Sequence, residues 1–165
     1  MNKSPVARLQ IDIARQHLEL FAADGACIRR YPVSTAANGA GERTGSECTP
    51  RGRHRIRAKI GGGAPPGTVF KGRRPNGETW TPRLAAAHPG RDWILSRILW
   101  LCGEESGFNR GGDVDSMRRY IYIHGTGDDQ PMGVARSHGC IRMRNLDVIE
   151  LFDLVAAGAP VVIVA

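Results

Sequence analysis

No apolar run in this 165-residue sequence is long enough to cross a bilayer. The most apolar stretch, 154–165, has 12 residues and is interrupted at Pro160, whereas a spanning helix needs about 20. The opening 25 residues also lack the continuous apolar core of a signal peptide, because Arg8, Asp12, Arg15, Gln16, His17 and Glu19 break up every stretch. With Met1 as the native start, the expectation is a cytoplasmic protein with reduced thiols; a periplasmic or wall-associated protein is the alternative if an export segment has been removed. Cysteine is scarce: four residues, at 27, 48, 102 and 140, are too few for a disulfide-stapled secreted miniprotein. Lysine is scarcer still, with three of the 23 cations, so arginine carries the formal charge of +7. Its planar fork pairs bidentately with carboxylate and phosphate, which makes an anionic partner an expectation.

Helical periodicity is equally thin, whereas turn chemistry is abundant: 21 glycines and 10 prolines are more than a helix bundle tolerates. Alternating apolar residues predict strands over 7–13, 17–22 and 26–33, with a turn at Ala23-Asp24-Gly25. A small polar connection follows over 34–47. The run from Arg51 puts Arg51, Arg53, Arg55, Arg57 and Lys59 on one strand face and Gly52, His54, Ile56, Ala58 and Ile60 on the other. The Gly/Pro-rich stretch 61–67 and a loop through Pro75, Asn76 and Gly77 lead to 92–103, the best candidate for a central strand. In 118–125, Ile121 and Ile123 face opposite to Tyr120, Tyr122 and His124. The one convincing helical stripe is Val148, Ile149, Leu151, Phe152 and Val155, with Asn145 as N-cap and Gly158 as its stop, before a final strand over 160–164. The length suits a single domain, 1–165, mainly β, a sandwich or partly closed barrel with one C-terminal helix packed on its flank.

Acyl-transfer chemistry needs a nucleophile, a base within reach and donors for the developing oxyanion, and 120–145 concentrates all three. Cys140 can be the nucleophile, since a thiolate is intrinsically strong. His124, at a strand end, can reach it by strand pairing; His138 can do so only from extended backbone. The N–H groups around Gly139 and Cys140 are natural oxyanion donors. Cys27, Cys48 and Cys102 read as buried structural thiols, and His17 and His88 as satisfied polar groups. A zinc site on His124, His138 and Cys140 lacks the paired ligand spacing such sites show. The arginine run has no accompanying nucleic-acid-binding motif. No metal, cofactor or nucleic acid is therefore expected.

Tyr122-Ile-His-Gly-Thr126, followed by Ser137-His-Gly-Cys-Ile-Arg-Met143, Asn145 and Asp147, resembles the signature of the L,D-transpeptidase (YkuD-like) catalytic domains, cysteine enzymes of peptidoglycan. Thr49-Pro50-x-Gly52 extends the resemblance, although His54 stands where that motif commonly carries Phe or Tyr. The resemblance implies a sandwich of mixed sheets, with Cys140 as nucleophile, His124 as general base and acid, and the Gly125 carbonyl orienting the imidazole. It further implies that Ser137, His138 and Gly139 shape the oxyanion region and that Arg142 fixes the substrate. Carbapenem-type β-lactams are implied as covalent inhibitors. For a cytoplasmic member the expected reaction is L,D-carboxypeptidation, removal of the terminal D-Ala from murein tetrapeptides through a Cys thioester during peptidoglycan recycling; wall cross-linking by L,D-transpeptidation is the alternative.

Overall fold

A computed structural model describes residues 5–165, so the first four residues of the expected domain lie outside it. The predicted meander is β1 (Val6–Asp12), β2 (His17–Ala22) and β3 (Cys27–Pro32), paired antiparallel in sequence order. Leu9, Ile11, Leu18 and Leu20 lie on its covered face with no exposed surface. The arginine run forms β4 (Gly52–Ile60), with Arg53, Arg55 and Arg57 exposed between buried His54 and Ile56, as the alternation requires. The apolar run gives β7 (Leu95–Gly103), starting three residues later than its sequence pattern suggested. The last strand is β10 (Pro160–Val164).

A hairpin and a short helix escaped the sequence pattern. The loop expected through Pro75, Asn76 and Gly77 is instead strand β6 (Arg74–Thr79), paired in a hairpin with β5 (Thr68–Lys71). Pro75 is tolerated because β6 ends the strand order, where a missing N–H breaks no ladder. A short helix, α1 (Pro82–Ala87), is started by the Thr81 hydroxyl accepting from Leu84 N–H at 3.0 Å and by Pro82 in its first turn.

The strands run β3-β2-β1-β10-β4-β7-β5-β6, with β8 (Tyr122–Gly125) and β9 (Ile141–Met143) branching from β7. Leu95 pairs with both Val69 and Gly125, and Ile98 with both Ile60 and His124. A strand residue has only two edges, so β4 and β5 follow one edge of β7 while β8 takes the other. The pairing is therefore one continuous mixed sheet that curls on itself, in which β1–β10 and β8–β9 are the parallel pairs.

The expected helix is α2 (Asn145–Leu154), which buries Val148, Leu151 and Phe152 against that sheet. Its cap differs from expectation. Arg144 occupies the N-cap position without a side-chain bond, and the helix closes at Val155, ahead of Gly158. The Asn145 amide is engaged elsewhere: its Oδ1 accepts from Ser96 Oγ at 2.6 Å and its Nδ2 donates to Thr126 O at 2.9 Å.

Candidate active site

β8 and β9 lie side by side in parallel, with Ile123 opposite Ile141 and His124 opposite Arg142. Alternation sends Ile123, Ile141 and Met143 into the main core, all without exposed surface. Tyr122, His124, Cys140 and Arg142 are left together on the other face. Parallel neighbours need a long crossover, here 126–140, which has no regular structure of its own. It is tied down along its length: Gly133 N–H donates to Val33 O, Ser137 N–H to Thr35 O and Thr126 N–H to Met143 O, each at 2.9 to 3.1 Å.

His124 is completely buried, and its Nδ1 lies 2.6 Å from Gly125 O. A carbonyl oxygen can only accept, so Nδ1 carries the proton and Nε2 holds the lone pair. That Nε2 is buried without a hydrogen-bond partner. Burial holds the imidazole below its ordinary value of 6.5; the nearby Asp92 carboxylate and Gly125 O oppose this, and Arg142 adds to it. A neutral ring with an unoccupied basic nitrogen results.

Gly125 has its own steric reason, which its main-chain role alone does not reveal. A Cβ there would collide with Asn145 Oδ1 and come within 2.6 Å of Leu95 O. Only glycine lets β8 approach β7 and the start of α2 this closely.

Cys140 is half-buried. Its Sγ accepts from Tyr122 N–H at 3.3 Å, and its S–H donates to Tyr120 O at 3.3 Å. Burial pushes the thiol up to about 11; the Tyr122 N–H and the Arg142 and Arg119 guanidiniums pull the other way. The resting pair is thus a neutral thiol and a neutral imidazole.

The turn before the thiol is built by hydroxyls. Ser137 Oγ donates to Cys140 O at 2.5 Å and accepts from Gly139 N–H at 3.2 Å. The Gly139 N–H, expected as an oxyanion donor, is therefore already used within the turn. Thr49 Oγ1 accepts from Ala36 N–H at 3.0 Å and donates to Gly139 O at 2.9 Å, which is what the Thr49-Pro50 motif contributes. Gly139 has a φ of +136°, and a Cβ on it would lie 3.3 Å from Cys48 O, so glycine is required here as well.

Arg142 is 6% exposed and already engaged: it donates to Asp92 Oδ1 at 2.8 Å and to Arg136 O at 3.3 Å. His138 is exposed, with Nδ1 3.8 Å from the other Asp92 oxygen. Asp92, at the foot of β7, thus links the two, yet its place just ahead of an apolar run carries no sequence signal. These three side chains line a cleft of about 880 Å³ that also takes in Trp80, Arg136 and Thr126. Among the described residues no three His, Cys, Asp or Glu are grouped to hold a metal ion.

Residues 7–163 match the family model of the L,D-transpeptidase catalytic domain, YkuD. Over 46 residues the sequence is 48% identical to the YkuD protein of Bacillus subtilis, a match covering 28% of each chain. The fold is similar to the L,D-transpeptidase of Xylanimonas cellulosilytica, with a TM-score of 0.56 and 19% identity over 99% of this chain and 63% of that one. It is also similar to Bdellovibrio bacteriovorus Bd1075, with a TM-score of 0.60 and 16% identity over 97% of this chain and 48% of that one. L,D-transpeptidase 3 of Mycobacterium tuberculosis, solved with a faropenem-derived adduct, gives 0.56 and 16% over 98% and 62%. This chain therefore spans less than two thirds of the length of each of these relatives. With a model match running through nearly all of the described strands, the chain belongs to the YkuD L,D-transpeptidase catalytic domain family.

Proposed function

We propose that this chain is a cysteine acyl-transfer enzyme acting on murein tetrapeptides, with Cys140 as nucleophile and His124 as general base and acid. The observation that carries the reading is the parallel pairing of β8 with β9, which sets a thiol and an imidazole with a vacant Nε2 on one face. On substrate binding the Cys140 proton passes to His124 Nε2 as Sγ attacks the carbonyl of the third stem residue. The resulting imidazolium is stabilised through Nδ1–H by Gly125 O, and the main-chain N–H of Cys140 is the donor for the developing oxyanion. The imidazolium then returns its proton to the departing D-Ala amine, leaving a thioester on Cys140. Activation in step with attack suits the raised thiol better than a standing thiolate does.

Water as acceptor makes the enzyme an L,D-carboxypeptidase; a side-chain amine of a second stem makes it an L,D-transpeptidase. We favour hydrolysis of soluble anionic murein peptides in recycling, because the charge of +7 suits small anionic substrates and the cleft beside His138 and Arg142 is open to solvent. The names of the similar structures favour the transfer reading. Incubating the protein with a disaccharide tetrapeptide, with and without an amine acceptor, and weighing the products decides between them. Tripeptide and free D-Ala are expected with the acceptor present; predominant dimer overturns the hydrolytic reading, and no release of D-Ala overturns the enzyme reading itself. The solved faropenem adduct and the imipenem complex of LdtMt1 support the proposal that carbapenem-type β-lactams acylate Cys140 here.

A further inference from the structure

The face of the sheet opposite the core carries arginines that form no ion pair among the described residues. Arg55, Arg57 and Arg110 border a hollow of about 170 Å³ together with Cys102 and Asp115. None of these arginines, nor Arg73, belongs to an ion pair among the described residues. Arg55 Nε donates to Cys102 Sγ at 3.1 Å, which fixes the guanidinium while its two terminal nitrogens keep no protein partner among the described residues. The Asp115 carboxylate is held by Gly111 N–H at 2.8 Å and Arg118 N–H at 2.9 Å, so it is occupied by main chain.

From this hollow one aromatic cluster runs to the candidate nucleophile. The Arg57 guanidinium lies 5.9 Å from the ring centre of Trp100 and that of Arg73 lies 4.7 Å from it. Arg73 also donates to the Tyr122 hydroxyl at 3.1 Å and sits 5.1 Å from the Tyr120 ring. Tyr120 O and Tyr122 N–H are the two partners of Cys140 Sγ. The positive φ of Arg73, 64°, belongs to the two-residue turn Gly72-Arg73 that joins β5 to β6 and sets this guanidinium over the aromatic cluster. The stacking holds Arg57 and Arg73 on Trp100, with no ion-pair partner for either among the described residues.

We infer that this ledge of arginines on Trp100 is a subsite for an anionic group, phosphate or carboxylate, that the substrate carries outside the scissile bond. The inference rests on the reading of Cys140 as nucleophile, and it makes the ledge a determinant of which peptides are processed.

The test pairs kinetics with direct binding. A tetrapeptide is compared with the same peptide extended at its N-terminus by a phosphorylated group and by a carboxylated group. The wild type should show a KM about tenfold lower for at least one extended peptide, and the preferred extension identifies the anion. Arg57→Ala and Arg110→Ala should each remove most of that preference, whereas Arg15→Ala, in the β1–β2 turn, should leave it unchanged. Equal KM values for all three peptides, or a preference that survives both variants, overturns the subsite. Calorimetry with inorganic pyrophosphate and with citrate supplies the second readout: binding of either by the wild type that is lost in Arg57→Ala supports the inference, and binding of neither, or binding unaltered in the variant, overturns it. If the wild type cleaves none of the peptides, the Cys140 reading has failed, and calorimetry still decides the subsite on its own.

Discussion

Replacing His54 with phenylalanine, the residue type that the family motif commonly carries there, should destabilise this protein at neutral pH and flatten its response to acid. His54 is 1% exposed, with Nδ1 3.0 Å from Gly52 O and Nε2 2.8 Å from Ser116 Oγ. Since Gly52 O can only accept, Nδ1 carries the proton and Nε2 accepts from the serine hydroxyl. Phenylalanine removes both bonds and leaves the fully buried Ser116 hydroxyl unpaired, at a cost of about 1–3 kcal/mol for the orphan alone. The more apolar ring offsets about 1 kcal/mol of the total. A net loss near 2 kcal/mol corresponds to a fall in Tm of about 4–8 °C for a chain of this size.

The acid response follows from the direction of the shift. Burial holds His54 below 6.5, so as the pH falls the unfolded chain takes up this proton first. Its contribution to stability is complete above about 6.5 and is lost as the pH drops from there through the lower folded value. Phenylalanine binds no proton, so the gap between wild type and variant should narrow on going from about pH 7.5 to about pH 5 in urea denaturation. His124, buried and shifted the same way, keeps part of the acid sensitivity in both proteins. A variant as stable as wild type at about pH 7.5, or a gap that stays constant on acidification, would refute the reasoning.

Cys140→Ser should abolish turnover with the melting curve preserved, and intact-mass spectrometry should show a carbapenem adduct on the wild type alone; residual turnover near the wild-type rate would remove Cys140 from the mechanism. His124→Ala should lower kcat by about 10²–10⁴-fold, and His138→Ala by much less, as single-turnover assays can measure. The acid limb of kcat/KM should lie below 6.5, because the lowered His124 stays neutral there, while the alkaline limb should reflect a thiol near 11; an acid limb above 6.5 would contradict the buried, unpaired Nε2. Gly125→Ala should cost about 1–3 kcal/mol from overpacking against Leu95 O and Asn145, measured by chemical denaturation, with activity falling alongside; a neutral substitution would show that β8 can move.

The meander, the final helix and the last strand were legible because each buries one face, which fixes its period. The candidate His124 and Cys140 were legible because His-Gly and Ser-His-Gly-Cys announce themselves locally. The edge hairpin was hidden, since Pro75 and Gly77 read as turn residues and only the position of β6 at the end of the sheet excuses the proline. Asp92 was hidden for another reason: it meets Arg142 across a sequence separation of 50 residues, and nothing in its own surroundings marks it. Likewise, that Ser137 occupies the Gly139 N–H follows from how the turn folds, which residue types alone do not specify.

Strand β10 is inserted between β1 and β4, parallel to the one and antiparallel to the other. One neighbour comes from the opposite end of the described chain and the other from its first half, so neither edge of the pairing can zip up from a local turn. Closure of that long loop must precede any reward from the ladder, which places folding among the slower, non-local cases. Until it happens β1 and β4 expose open edges, the surfaces on which strands from separate molecules add to one another. Amides of Leu9, Ile11, Val161 and Ile163 should then exchange with solvent only through global unfolding, making this seam the clock by which the whole domain, candidate site included, comes apart.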